Sequence, residues 1–253
     1  MIKEITISDP ITYEEQPDGG ITPIIDPYDG CQLHCPYCWQ LSDENWNKNI
    51  YVHTNIADLL YNRLKTWAKS ETIYLGSRCD PYMQLEEEYG LTRKCLSVLN
   101  DLSISTMITT KADNNLILRD MDILTNFSAD ITILMGMSHI NQIQEGALSN
   151  NILTANTLVE KGVPVWGFIT PVLPYIMDVE EIIAALHEDI PIFLDKLMIQ
   201  EDTVQAGNMK IFIAQQYPEY TEQYDKIIHD NDLLYFEELK REYANNSRVK
   251  ILF

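Results

Sequence analysis

The sequence predicts an α/β protein in which short β-strands alternate with helices around a parallel sheet. Runs rich in Ile, Val and Thr alternate with stretches whose apolar residues recur at helical spacing. The chain has 253 residues and is 45% hydrophobic, which is enough to bury one large core. No linker rich in Gly, Ser or Pro divides it, and no segment repeats at a fixed period. We therefore expect a single domain over residues 1–253.

Six strands are expected, each a short apolar run that ends at a turn signal or at a change of pattern. The first strand, Ile21–Ile25, runs into the turn-rich segment 26–30. The second covers 72–75 and is interrupted by Gly76. The remaining four are expected at 104–109, 131–137, 164–169 and 193–199.

Helices are expected between these strands. The first, 54–69, has Thr54 or Asn55 as a candidate N-cap. The next helices are expected at 91–102, 119–126, about 150–161 and 178–187. Residues 201–253 look helical, amphipathic and acidic, so they are expected to cover the core formed by residues 21–200.

The charge balance restricts the classes of partner. Lys and Arg total 18 against 38 Asp and Glu, so the formal net charge is −20. Such a surface repels polyphosphates, and nucleic acid is an unlikely partner. The N-terminal sequence does not resemble a signal peptide, and no apolar run is long enough for a membrane helix. A cytoplasmic protein without a membrane partner is expected.

Three cysteines are concentrated directly after the first predicted strand. Cys31, Cys35 and Cys38 form a C-x3-C-x2-C motif. Soft thiolate ligands at such close spacing suit an iron–sulfur cluster or zinc. The other two cysteines are isolated, so a zinc site of four thiolates is not supported. Three thiolates on a four-iron cluster leave one iron open to a further ligand.

The motif, with Tyr37 just before its last cysteine, resembles the signature of the radical S-adenosylmethionine superfamily. Asp26-Pro-Tyr-Asp-Gly-Cys31, the segment from Asp80 to Arg93, Thr109-Thr110-Lys111 and residues 162–174 are similar to the spore photoproduct lyase-like branch. This resemblance covers about residues 21–200. It implies a partial (β/α)6 TIM-type barrel of parallel strands, with residues 201–253 as a helical C-terminal extension.

The resemblance also implies cofactors and a reaction. Cys31, Cys35 and Cys38 would hold a [4Fe–4S] cluster, which cleaves S-adenosylmethionine reductively to a 5′-deoxyadenosyl radical. That radical would abstract hydrogen from a small-molecule or peptide substrate. An electron donor such as flavodoxin or ferredoxin would reduce the cluster. The DNA repair carried out by the lyase itself is less compatible with a net charge of −20.

By position, the residues expected to bind S-adenosylmethionine are Tyr37, Gly76, Ser77, Asp80, Lys111 and Ser138. Tyr37 would contact the adenine, whereas Lys111 and Ser138 would contact the carboxylate of the methionine part. The acidic residue that commonly ends the amino-group motif is absent at Ser77-Arg78, which makes Asp80 the nearest candidate carboxylate.

Cys79 is the candidate catalytic residue, because the lyase uses a cysteine in this region to return hydrogen to its product radical. A small buried cysteine without a chemical role is the alternative interpretation of Cys79. For the whole protein, the alternative is a non-catalytic iron–sulfur or zinc protein that transfers electrons or acts as a scaffold.

Overall fold

The structure is a computed structural model that describes residues 1–15, 19–43, 45–46, 48–68, 71–137, 143–144 and 147–253. Within these ranges the strands are β1 (Ile2–Ile5), β2 (Thr12–Glu15), β3 (Ile21–Ile25), β4 (Tyr28–Asp29), β5 (Ile50–His53), β6 (Ile73–Leu75), β7 (Thr106–Thr110), β8 (Ile131–Gly136), β9 (Ile143–Gln144), β10 (Ala147–Leu148), β11 (Val165–Val172), β12 (Ile192–Lys196) and β13 (Val249–Ile251).

The helices in the same ranges are α1 (Ile56–Leu64), α2 (Glu86–Tyr89), α3 (Leu91–Asp101), α4 (Met121–Leu124), α5 (Asn150–Glu160), α6 (Val179–Ala185), α7 (Val204–Gln216), α8 (Thr221–His229) and α9 (Leu234–Tyr243). Short 3-10 turns lie at Trp39–Ser42, Leu116–Asp120 and Pro218–Tyr220.

One eight-stranded sheet forms the centre of the fold, in the order β13-β12-β11-β8-β7-β6-β3-β2. Every neighbouring pair from β3 to β13 is parallel, and only β2 joins antiparallel, on the edge beside β3. Among the described residues β2 and β13 do not pair with each other, so the sheet stays open. This arrangement confirms the predicted α/β class and the partial TIM-type barrel.

All six predicted strands are present, with boundaries that differ by up to three residues from those expected. Two further strands extend the sheet at its edges, β2 at one and β13 at the other. The segment expected to be a helical cover is helical in α7, α8 and α9 but ends in β13, which pairs with β12. Among the described residues, no helix has the length and apolar character that crossing a bilayer requires.

A second, smaller sheet positions the start of the cysteine loop. β5 lies in its centre, parallel to β1 and antiparallel to β4. In the second pair, Tyr28 lies opposite Val52 and Asp29 opposite Tyr51. Because the cysteine loop begins directly after β4, this pairing fixes where the loop leaves the barrel.

Candidate functional site

The three cysteines lie on a loop at the carboxyl end of β3, the end at which barrel enzymes place their active sites. The loop starts at Gly30, whose φ of +100° favours glycine; a Cβ there would lie 2.4 Å from the carbonyl oxygen of Asn49. The amide of Cys38 donates to the carbonyl of Cys35 at 3.1 Å, which closes a tight turn. All three cysteines are free and only partly exposed.

The loop forms one wall of a cleft of about 350 Å³, and all three cysteines line it. The opposite wall comes from the carboxyl ends of β6, β7, β11 and β12. The cleft residues from those strands and the segments after them include Gly76, Ser77, Cys79, Asp80, Thr109, Lys111, Thr170, Asp195 and Lys196. Four strands of one sheet thus bring together residues that lie up to 120 positions apart in the sequence.

The burial of the cysteines and the charges near them favour a cation bound at the thiols. Burial raises the pKa of Cys31 to about 12, and the nearby Asp80 acts in the same direction. Burial also raises the pKa of Cys35, although Lys111 opposes this shift. Thiolates here are therefore costly without a compensating positive charge, which iron or zinc ions would supply.

The chemistry of the donor set fits a cluster. The three thiols lie on one loop and line one cleft. Three thiolates can hold a four-iron cluster with one iron left open, whereas a structural zinc ion would need a fourth donor. Among the described residues, no three His, Cys, Asp or Glu side chains are grouped closely enough to hold one metal ion.

Lys111 is held at the inner end of the cleft. Its Nζ donates to the carbonyl oxygen of Thr170 at 2.6 Å and lies 5.2 Å from the centre of the Tyr37 ring. Burial lowers the pKa of Lys111, and the neighbouring cysteines oppose this shift. The stem of the lysine occupies the space that a side chain at Gly136 would need, because a Cβ there would lie 2.3 Å from Cγ of Lys111.

The carboxylate of Asp80 is already fully used by the protein. One oxygen accepts from the amide of Tyr82 and the hydroxyl of Thr110, both at 2.9 Å. The other accepts from the amides of Lys111 and Ala112, at 2.6 and 3.1 Å. Asp80 thus joins the loop after β6 to the end of β7. Its predicted contact with a cofactor amino group remains a prediction.

A second carboxylate lies beside Ser77. Its hydroxyl donates to Glu14 at 3.0 Å, and Glu14 lies on the antiparallel edge strand β2. Gly76 precedes it with a φ of +81°, and a Cβ at Gly76 would lie 2.4 Å from the ring of Pro81. Sequence reasoning missed Glu14, because the two partners lie 63 positions apart and the local sequence carries no signal of their contact.

Cys79 is buried, with 3% of its surface exposed, and forms part of the cleft wall. Its thiol donates to the carbonyl oxygen of Tyr28 at 3.0 Å, and Oδ1 of Asp26 lies 3.7 Å away. Burial raises the pKa of Cys79 well above its ordinary value, and Asp26 adds to this shift. Cys79 is therefore held as a neutral thiol. Ser138, the remaining predicted cofactor ligand, lies outside the described residues.

Asp26 should make the stability of the fold depend on pH. Its Oδ2 is buried without a hydrogen-bond partner among the described residues, and burial raises its pKa from 3.8 to about 6 against the opposing effect of Arg78. The folded state therefore binds a proton more tightly than the unfolded state does. The resulting stabilisation is complete below about pH 4 and is lost as the pH rises through about 6.

The variant Asp26→Asn should lack this loss. We expect its unfolding free energy, relative to wild type, to increase by about 1–3 kcal/mol between about pH 4.5 and pH 7.5. Urea unfolding of both proteins at several pH values measures the difference. Parallel profiles for the two proteins would contradict the prediction.

Comparison with known proteins gives sequence relatives for part of the chain. No protein-family model matches the chain. The uncharacterized protein MJ0683 of Methanocaldococcus jannaschii is 30% identical over 213 residues, which cover 78% of this chain and 76% of that protein. The uncharacterized protein Rv2578c of Mycobacterium tuberculosis is 26% identical over 125 residues, which cover 45% of this chain and 36% of that protein.

Among solved structures, a cysteine-to-serine mutant of spore photoproduct lyase superposes with a TM-score of 0.64 at 13% identity, covering all of this chain and 82% of the lyase. SuiB of Streptococcus suis, solved with S-adenosylmethionine, superposes with a TM-score of 0.51 at 15% identity, covering 79% of this chain and 47% of SuiB. At these identities the superpositions show a shared fold. The relative from M. jannaschii, at 30% identity over more than two thirds of both chains, shows that this chain belongs to the same family as that uncharacterized protein.

Proposed function

We propose that this protein is a radical S-adenosylmethionine enzyme that abstracts hydrogen from a small-molecule or peptide substrate. The observation that carries the proposal is the cleft in which Cys31, Cys35 and Cys38 lie together with Lys111. When bound, a [4Fe–4S] cluster on these thiols would supply the electron that cleaves S-adenosylmethionine to a 5′-deoxyadenosyl radical. A plain electron carrier would need the thiols but not the lysine.

The residues around the thiols can bind the three polar parts of the cofactor. The Lys111 ammonium would bind the carboxylate of the methionine part, with Ser138 as a further donor by resemblance. Glu14, oriented by Ser77, offers a carboxylate for the amino group at the position where the usual acidic residue of the motif is missing. Tyr37 would contact the adenine through its ring and backbone.

The remaining parts of the proposal concern partners. Spore photoproduct lyase has been solved with S-adenosylmethionine and dinucleoside spore photoproduct bound. For this chain, the net charge of −20 favours a small molecule or a peptide over a DNA duplex. An electron donor of the flavodoxin or ferredoxin type would provide the reducing electron.

The experiment that tests the proposal is anaerobic reconstitution of the full chain with iron and sulfide. Cluster formation is followed by optical and electron paramagnetic resonance spectra, and 5′-deoxyadenosine is quantified after dithionite and S-adenosylmethionine are added. The triple variant Cys31→Ala, Cys35→Ala and Cys38→Ala is the control. Deoxyadenosine from the wild type alone would establish radical initiation. A stable cluster without cleavage would leave a non-catalytic iron–sulfur protein, and failure to form a cluster would overturn the cluster assignment.

Cys79 provides a separate prediction about the hydrogen donor. An S–H bond is weak enough to transfer a hydrogen atom, whereas the O–H bond of serine is not. Cys79→Ser keeps a donor for the carbonyl of Tyr28, and so preserves the contact that holds residue 79. In heavy water without added thiol, we expect the deuterium content of the 5′-deoxyadenosine to fall by half or more in Cys79→Ser.

Mass spectrometry of the deoxyadenosine measures this change, with Cys95→Ser as the control. Cys95 is buried on α3 and does not line the cleft. Equal deuterium content in wild type and Cys79→Ser would show that Cys79 does not donate hydrogen to the 5′-deoxyadenosyl radical.

A further inference from the structure

The inward face of the barrel is only partly buried along β7 and β11. In β7 and β11 burial alternates residue by residue: Ile108 and Ile169 are fully buried, whereas Met107 and Trp166 are partly exposed. The partly exposed set points inward, because Thr109 and Thr170 belong to it and line the cleft. A barrel packed to its centre would bury both sets. The inward face therefore borders space that solvent can reach.

Three aromatic side chains form a continuous surface on this inward face, which we call the aromatic wall: Trp166, Phe168 and Phe193. Phe168 and Phe193 are register partners on adjacent strands. Phe193 stacks on Trp166 with ring centres 4.9 Å apart and planes at 27°, and on Phe168 with centres 4.8 Å apart and planes at 20°. The wall thus presents rings of similar tilt across two neighbouring strands.

The aromatic wall lies directly below the cleft. Thr170 and Asp195 line the cleft, and Phe168 and Phe193 are the preceding inward-facing residues of the same two strands. At the rise of a β-strand, two residues correspond to about 7 Å. A molecule bound at the aromatic wall would therefore lie only two strand residues below the cleft that the cysteines and Lys111 line.

The wall keeps ring surface free for a ligand. Phe193 is 8% exposed, and Nζ of Lys250 lies 5.2 Å from its ring centre, so it is largely covered. Trp166 and Phe168 both stack on Phe193 and remain partly exposed. Partly exposed aromatic faces inside a barrel are the surface on which a flat ring stacks best, because stacking adds to the area it buries.

We propose that the aromatic wall binds an aromatic or heteroaromatic ring of the substrate. This proposal rests on the proposed function, since it assigns the substrate class of the same site. Asp195, the next inward-facing residue above Phe193, is partly buried, and burial raises its pKa. Its carboxyl group lies where it can accept a hydrogen bond from a polar group carried by the bound ring.

Binding of ring probes to the full chain tests the proposal without iron or turnover. Benzamide and cyclohexanecarboxamide have the same polar group and similar size, but only benzamide is planar. Ligand-observed nuclear magnetic resonance titrations should show benzamide binding more tightly, by about 3- to 10-fold. Trp166→Leu should abolish this preference, whereas Trp166→Phe should retain it. Trp67→Leu is the matched control, because Trp67 follows α1 and does not line the cleft.

Two results would overturn the proposal. One is equal binding of the two probes, or a preference that survives in a folded Trp166→Leu variant, with folding checked by circular dichroism. The other is displacement of benzamide by S-adenosylhomocysteine, which would assign the wall to the adenine of the cofactor. The failure of radical initiation is a separate result, because it is read from 5′-deoxyadenosine in the reconstituted wild type.

Discussion

Replacing Glu86 with alanine is expected to destabilise the protein by about 3–5 kcal/mol, the range found when one partner of a buried charge pair is removed. Glu86 is fully buried and accepts four hydrogen bonds. One oxygen accepts from the Tyr28 hydroxyl at 2.5 Å and the Thr92 amide at 2.9 Å. The other accepts from the Arg119 guanidinium at 2.7 Å and the Arg93 amide at 3.2 Å.

The cost is large because the Tyr28 hydroxyl and the Thr92 amide are buried and would lose this partner, whereas Arg119 would keep Asp120. The amides of Thr92 and Arg93 belong to the first turn of α3, so Glu86 also caps that helix and interacts with its positive end. The Tyr28 contact joins this cap to the strand that precedes the cysteine loop. Glu86→Ala should therefore loosen the loop that carries the thiols as well as lower stability.

Urea unfolding followed by circular dichroism measures the loss, and Glu88→Ala is the matched control. Glu88 lies on the same short helix but is exposed, and its substitution should change stability by less than about 0.5 kcal/mol. Glu86→Gln keeps the shape of the side chain but replaces one acceptor oxygen by an NH2 group that faces other donors. Its loss of stability should therefore fall between those of Glu86→Ala and Glu88→Ala. A Glu86→Ala loss as small as that of Glu88→Ala would show that the four contacts contribute nothing.

The strands of the barrel were predictable from sequence because their outward faces are continuous apolar rows that helices cover. The two edge strands were not. β2 reads Thr-Tyr-Glu-Glu and is mostly exposed, so it carries no alternating apolar signal. β13 has three residues and is recognisable as a strand only by its pairing with β12. Both strands are defined by a neighbour, which local sequence does not show.

The residues of the candidate site divide in the same way as the strands: those in local motifs were predictable from sequence, and those defined by contacts with other strands were not. The cysteines, Gly76 and Lys111 belong to short motifs next to strand ends, so their types and positions indicated their place. Glu14 and Gly136 act through contacts with Ser77 and Lys111, which come from other strands. Only the register of the sheet brings these pairs together. The parts of the site that sequence reasoning missed are therefore those that position the motif residues.

Gly136→Ala is expected to weaken the binding of S-adenosylmethionine to the reconstituted protein by about 10- to 150-fold, the equivalent of losing one hydrogen bond to a charged group. The added Cβ would lie 2.3 Å from Cγ and 3.1 Å from Cδ of Lys111, where ordinary contacts begin at 3.4 Å. The backbone cannot easily yield, because the buried Asn151 side chain donates to the carbonyls of both Gly136 and Lys111, at 2.8 and 3.2 Å.

The lysine must therefore move, and its Nζ would leave the carbonyl of Thr170 and the cleft. If Gly136→Ala acts only through Lys111, then Lys111→Met should weaken binding to a similar degree, and the double variant should be no worse than either single one. Equilibrium binding of S-adenosylmethionine to the four proteins gives this cycle. Gly207→Ala, where an added Cβ meets nothing within 4 Å, is the control. Additive losses in the double variant would show that Gly136 affects binding by another route. The absence of a side chain at Gly136 would then not be what determines the position of the Lys111 ammonium.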